Sequence, residues 1–224
     1  MTQQSKPRYM ITHSLLNSFE YMYKAEEKEQ NKTMHDFMNV LNREKTEPTK
    51  AMLAGREFEN LVSDMVKNPL CVQEADKKLR NGAYNIVQII NPDNLHSEAR
   101  SQVKAKQYCT VNNVDYLLYG VLDWLCGDLT KGKQIIYDIK FKQNISNYHA
   151  GDYCENTQHR MYFELAPDAD TFVYLISDGR RVMCEEYQRR DCQPIKETVE
   201  EFELWLKMFG LWDVYCDKWK CKYN

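Results

Sequence analysis

The sequence predicts an α+β protein with a central mixed β-sheet flanked by helices. Three observations carry that prediction. Two neighbouring runs, Tyr116 to Cys126 and Gln134 to Phe141, read as strands joined by the polar, glycine-containing stretch Asp128 to Lys133. Helices bracket them: one from about Lys50 to Lys67 behind the cap residue Thr49, and one limited by Pro167. The order of elements is helix, three strands, helix, strand, which interleaves both kinds of structure in one chain.

Each element has a local reason. Ser14 to Glu27 and Met34 to Asn42 read as helices separated by the polar stretch Lys28 to Lys32. In the helix that follows, Phe58, Leu61, Val62 and Met65 form a stripe at helical spacing. Glu74 to Arg80 reads as a short helix, Tyr84 to Ile90 as a strand, and Ala99 to Val111 as the first core strand. Tyr116 to Leu125 is apolar on both faces, the pattern of a buried central strand. Its partner puts Ile135, Tyr137, Ile139 and Phe141 on one face and Asp138 and Lys140 on the other. Asp152 and Glu155 have the spacing of a capping box and open the helix that carries Gln158 and Tyr162. Thr171 to Ser177 and Val182 to Gln188 pair about Asp178-Gly179, and a helix from about Ile195 to Phe209 follows. One domain is expected, with a helical region over residues 1–50, a core over 50–190, and a final helix and aromatic tail over 191–224. Trp205, Trp212, Tyr215, Trp219 and Tyr223 read as packing that last helix onto the core or onto a second subunit rather than as a platform for bases.

Composition narrows the function. No apolar run reaches the roughly 18 residues of a membrane span, so no membrane partner is expected. The opening Met-Thr-Gln-Gln-Ser-Lys-Pro-Arg lacks the apolar region of a secretion signal, and the eight cysteines form no disulfide framework. A cytoplasmic protein with reduced thiols is expected. The net charge of −3 supplies no bulk attraction to nucleic acid. Phosphate contacts therefore fall to local groups: Lys131, Lys133 and Lys142 around the hairpin, and Arg160 beside Gln158. No glycine-rich phosphate loop is present, and Cys154 with His159, or Cys109 with His149, has no local context for a thiol nucleophile.

The carboxylates carry the chemistry. If the hairpin turn is centred between Thr130 and Lys131, Asp123 falls opposite Asp138. Like charges opposed across strands destabilise a sheet, and such a pair persists where a cation sits between them. Oxygen donors make Mg²⁺ or Mn²⁺ the expected ion. Gly55, one turn before Glu59, is expected to admit another backbone close to that carboxylate. Gln158 and Tyr162, four residues apart, share a helix face.

In this order the residues resemble the PD-(D/E)xK nuclease superfamily, and within it the RecB-type branch, which also holds CRISPR-associated exonucleases and phage recombination nucleases. The motifs read Gly55-Arg-Glu-Phe-Glu59, Gly120-Val-Leu-Asp123, Asp138-Ile-Lys140 and Gln158-His-Arg-Met-Tyr162, and Ile11 to Glu20 resembles that branch's first helix. The resemblance spans about residue 11 to about residue 190. It implies a restriction-endonuclease-like core with an N-terminal helical cap, and a metal-dependent deoxyribonuclease, an exonuclease of recombination, repair or phage replication. Glu59, Asp123 and Asp138 would ligate one or two Mg²⁺ or Mn²⁺ ions, with the backbone carbonyl of Ile139 as a further ligand. Lys140 would orient or help deprotonate the attacking water, Gln158 would hold the metal site or the water, and Tyr162 would touch a phosphate. DNA, single- or double-stranded, is the implied partner, in the cytoplasm of a bacterial or phage-infected cell. The resemblance leaves a homo-oligomer and a recombination partner protein open. Two departures stand out. Glu59 occupies a position where many relatives have histidine. Iron–sulfur members carry a cysteine near the first helix and three late; here Met22 takes the first place, and Cys184, Cys192, Cys216 and Cys221 include no close pair, so no cluster is expected.

Overall fold

The structure is a computed structural model that describes residues 8–68, 76–91, 99–128 and 133–221. In chain order the elements are β1 (Tyr9–Thr12), α1 (His13–Tyr23), α2 (Gln30–Leu41), α3 (Lys50–Lys67), α4 (Lys77–Ile90), β2 (Arg100–Val111), β3 (Val114–Asp128), β4 (Lys133–Phe141), α5 (Thr157–Leu165), β5 (Ala169–Ser177), β6 (Val182–Gln188), α6 (Ile195–Met208) and α7 (Trp212–Lys218). A mixed α+β architecture with a helix-flanked central sheet is thus what forms.

Strand β3 is the spine of the sheet. One of its edges pairs antiparallel with β2 over nearly its whole length. The other edge is shared by two strands. Parallel β1 takes Tyr116 to Tyr119, and antiparallel β4 takes Trp124 to Asp128. Residues 120–123 are left without a strand partner on that edge, so the sheet forks there. Beyond β4 the sheet continues through parallel β5 to antiparallel β6. The β3–β4 register is the one read from the sequence: Trp124 pairs with Tyr137, and the next step along brings Asp123 level with Asp138.

The sheet separates two cores. The larger holds Leu15, Leu16 and Phe19 of α1, Phe37 and Leu41 of α2, Met161 and Tyr162 of α5, and Phe202 and Trp205 of α6 against Tyr116, Leu118, Leu122 and Ile136. The N-terminal helices are therefore built into the main core, and only the start of α1 reaches the fork. The described part of the aromatic tail packs onto the core; Tyr223 lies outside the described residues. Tyr215 and Trp219 are buried, the Trp219 indole N–H donates to Leu41 O (2.8 Å), and the Tyr215 hydroxyl donates to Met10 O (3.0 Å). The smaller core, on the other face, sets Phe58, Val62 and Met65 of α3 and Ala83, Ile86 and Ile90 of α4 against Trp124, Tyr137, Ile139 and Leu175.

Two local expectations are corrected, and one strand is new. Residues 84–90 are helical, not a strand; Leu79, Ala83, Ile86 and Ile90 recur at helical spacing, and Asp76 caps α4 by accepting from Lys78 N (2.8 Å). Helix α5 starts after Asn156, whose side chain accepts from Gln158 N (2.8 Å); Asp152 instead closes a turn by accepting from His149 N (3.2 Å). Strand β1 had no signal in the sequence, because four residues are too few to show alternation.

Candidate active site

The fork in the sheet is the site. Where β1 and β4 part from β3, a cleft of about 340 Å³ opens, lined by Thr12, His13, Ser14, Glu59, Tyr119, Gly120, Val121, Asp123, Asp138, Lys140, Gln158 and Tyr162. Every motif read from the sequence sends a residue into it. A larger cleft of about 460 Å³ lies between α1 and the loop before α5, but its Lys24 pairs with Glu155 (2.7 Å), and none of Glu59, Asp123, Asp138, Lys140, Gln158 and Tyr162 lines it.

Asp123 owes its orientation to a defect shared by two strands. Tyr116, Leu118 and Leu122 enter the larger core, as alternation requires, but Trp124 and Cys126 enter the smaller one. The faces exchange at Asp123. Opposite it, Gln102 has φ 52°, in the left-handed region, and the Gln102–Asp123 pair is missing from an otherwise continuous ladder. Asp123 therefore joins neither core. Its Oδ2 accepts from Ile139 N (3.0 Å) across the fork, and Gln102 Nε2 donates to its Oδ1 (3.4 Å). The N–H and C=O of one strand residue leave on the same side, so the Ile139 carbonyl also faces the fork.

Asp138 and Lys140 project together from β4 toward α5, as alternation predicts. Asp138 is 2% exposed. Gln158 Nε2 donates to its Oδ1 (2.5 Å), and Lys140 Nζ donates to Gln158 Oε1 (2.9 Å). Lys140 Nζ also lies 2.7 Å from Asp138 Oδ2. Among the described residues, this buried oxygen has no polar partner besides that ammonium. Glu59, half-buried, reaches the fork from α3 on the opposite side of the sheet. Tyr162 does not point a free hydroxyl at the cleft: its O–H donates to Val121 O (2.8 Å), a carbonyl that the fork leaves without a strand partner. Gly120 makes that contact possible, since a Cβ there would lie 2.8 Å from Leu165 Cδ1 and 2.9 Å from Tyr162 Cε1.

The electrostatics follow from three carboxylates facing one ammonium. Burial, then the Asp138 and Glu59 carboxylates, hold the Asp123 pKa well above the usual range; the Ile139 N–H and Lys140 oppose this only in part. Burial and Asp138 likewise raise Glu59. Burial disfavours the charge on Lys140, but Asp138 outweighs it and the ammonium titrates above its ordinary value. His13, whose ring packs edge-on to Tyr162 (5.5 Å), is lowered to about 4 by burial and by Lys140.

Among the described residues, no group of three or more His, Cys, Asp or Glu side chains is arranged to hold a metal ion. The donors nonetheless fit a hard cation in kind: two carboxylates with raised pKa values, and a buried carboxylate oxygen whose partner among the described residues is the Lys140 ammonium. For Asp138 to bind one, Lys140 would have to move off Oδ2.

The basic residues expected on phosphates fare differently. Lys131 lies outside the described residues. Lys133 pairs with Asp170, seven residues along β4 from Lys140 and so roughly 23 Å away. Arg160 is buried and held by Glu20 (3.1 Å), Thr198 (2.7 Å) and the carbonyls of Gln193 and Pro194, because α5 is enclosed on nearly every side. Lys142 alone is exposed and near the site, over the rings of Tyr153 (5.1 Å) and Tyr148 (5.9 Å). Gly55 has nothing within 4 Å of where a Cβ would stand, so no backbone approaches there. Sequence reasoning missed Gln102, for which no signal exists, and His13, whose signal was its place beside the cap residue Thr12.

No protein-family model matches the chain, and no curated protein does. Among solved structures the fold is similar to the crystal structure of SSO0001, at 14% identity and a TM-score of 0.44, over 93% of this chain and 79% of that one. That likeness is distant and assigns neither family nor function. Among the described residues, no helix is long and apolar enough to cross a membrane.

Proposed function

We propose that the fork is the active site of a divalent-cation-dependent deoxyribonuclease of the PD-(D/E)xK type. The observation that supports this reading most is the convergence of Glu59, Asp123, Asp138, Lys140 and Gln158 on one cleft, with the Asp123 pKa raised by burial and then by the other two carboxylates. Glu59, Asp123, Asp138 and the Ile139 carbonyl would hold Mg²⁺ or Mn²⁺. When bound, such an ion polarises a phosphoryl oxygen and acidifies a water. The chain's own groups do the rest. Gln158 positions the Asp138 carboxylate and the Lys140 ammonium through its two amide ends. Lys140, kept protonated by Asp138, donates to oxygen and offsets the charge that develops at phosphorus; its raised pKa argues against a role as base. Tyr162 and Gly120 hold the Val121 strand segment open rather than touching phosphate. Attack of water at phosphorus with cleavage of the P–O3′ bond leaves a 5′-phosphate and a 3′-hydroxyl.

The Lys140–Asp138 ion pair favours a second reading, a nuclease-fold DNA-binding or recombination accessory protein that does not cut. A time course on end-labelled linear, nicked and circular DNA with Mg²⁺ or Mn²⁺ separates the two. Asp138→Ala and Lys140→Ala are each expected to abolish cleavage. Undiminished cleavage by either variant moves the chemistry elsewhere, and an inactive parent leaves the accessory reading.

A further inference from the structure

The residues expected to guide a substrate strand do not form a path, but another surface does. Lys104 pairs with Val121, Lys106 with Tyr119, Tyr108 with Leu117, and Thr12 of β1 with Tyr119. Directly paired residues present their side chains to one face. This face is opposite the one through which Leu118 and Leu122 enter the larger core, and Leu117, Tyr119 and Val121 belong to neither core. Lys104 and Lys106 are exposed, as is Tyr108 at 54%. Among the described residues, neither lysine has an ion-pair partner. The face runs directly into the cleft, since Thr12, Tyr119 and Val121 line it beside Glu59 and Asp123. Arg56, exposed one turn before Glu59, adds a further positive charge at that border.

The chemistry of the face selects its occupant. Alternate residues of a strand stand about 7 Å apart, so Lys104 and Lys106 offer two evenly spaced ammonium groups along a flat surface. Tyrosine rings lie on the same face. Cations on phosphates combined with rings under unpaired bases is the recognition mode for single strands; a duplex hides its base faces. Lysines on an edge strand also discourage strand-to-strand association. That role requires neither the tyrosines nor continuity with the carboxylates.

We infer that the open face of β1, β3 and β2 is a track that carries single-stranded nucleic acid to the cleft, with Lys104 and Lys106 on phosphates and Tyr119 and Tyr108 against bases. The direction toward the cleft rests on the proposed nuclease reading; the binding surface does not. The test is fluorescence anisotropy with a labelled single-stranded DNA oligonucleotide and its duplex, in Ca²⁺ buffer over a salt series. The parent is expected to bind the single strand more tightly. Lys104→Gln/Lys106→Gln should lower the slope of log affinity against log salt by about 1.4, with the single variants each losing half of that if the pair does not fold. Tyr119→Ala should weaken binding about tenfold and leave the slope unchanged. Parent-like affinity and slope in all variants overturn the track, as does a parent that binds no single strand. A change confined to sedimentation would instead make the face a self-association surface. If Asp138→Ala binds but does not cut while the lysine variants bind like the parent, the track falls and the nuclease reading stands. If the parent binds through this face and never cuts, the reverse holds.

Discussion

Asp123 is the residue at which physical forces conflict most. Its carboxylate is half-buried, faces two others, and is supported by the Ile139 N–H, Gln102 and the field of Lys140. A carboxyl raised in the folded state keeps its proton at pH values where the unfolded chain has lost it. The folded chain then binds more protons, so stability is fullest below the ordinary carboxylate range and falls as pH rises through the raised value. Asp123→Asn keeps an oxygen for the Ile139 N–H and removes the repulsion. In chelator, it is expected to melt at a higher temperature than the parent at neutral pH, with a flatter pH dependence, while losing Mn²⁺-dependent stabilisation. Equal melting curves for the two proteins in chelator would mean that the carboxylates do not repel one another in solution.

At the scale of elements, two glycines make opposite predictions. Gly55 sits within α3 with open space around it, so Gly55→Ala should stabilise by about 1 kcal/mol through helix propensity alone. Gly120 lies under Tyr162 and Leu165, and a methyl there would displace the Leu165 side-chain end and press on the Tyr162 ring. Gly120→Ala should destabilise by about 1–3 kcal/mol, as overpacking does. Urea midpoints measure both. A destabilised Gly55→Ala protein would show that something approaches α3 after all. The motif spacing treats these glycines alike, and the packing does not.

For the whole molecule, two buried histidines on the larger-core side of the sheet contribute to acid sensitivity. His159 is buried, stacked on Tyr187 (4.1 Å) and hydrogen-bonded to the Tyr174 hydroxyl (3.2 Å). Burial and Arg160 lower its pKa to about 4, and burial and Lys140 do the same to His13. An unfolded histidine titrates near 6.5. Between about 6.5 and about 4 the unfolded chain binds more protons, so these groups make stability fall as pH falls. The site carboxylates act in the opposite sense, while Asp178, held below the usual range by the Arg181 N–H, and Glu155, held down by Lys24, add to the acid loss, so the parent curve is the sum of all of these. His159→Gln should lower overall stability but flatten the acid limb, as read from melting temperatures between pH 7 and pH 4. An unchanged acid limb would place the acid sensitivity outside His159.

What the residues determine locally was legible. Alternation put Asp138 and Lys140 on one face, the polar loop gave the register that sets Asp123 level with Asp138, and helical spacing found the buried stripe of α3. Short-range patterns also misled where a different period fitted better, as in α4, or where a nearer cap won, as at Asn156. Tertiary structure alone decided the rest. The fork exists because β1, a strand of four residues, takes part of an edge that β4 does not fill. The left-handed turn at Gln102 aims Asp123 into it, and burial makes Arg160 a structural residue while Lys104 and Lys106 stay exposed. These outcomes depend on contacts between residues far apart in the chain, and no local pattern of residue types encodes which edge is vacant or which face stays open.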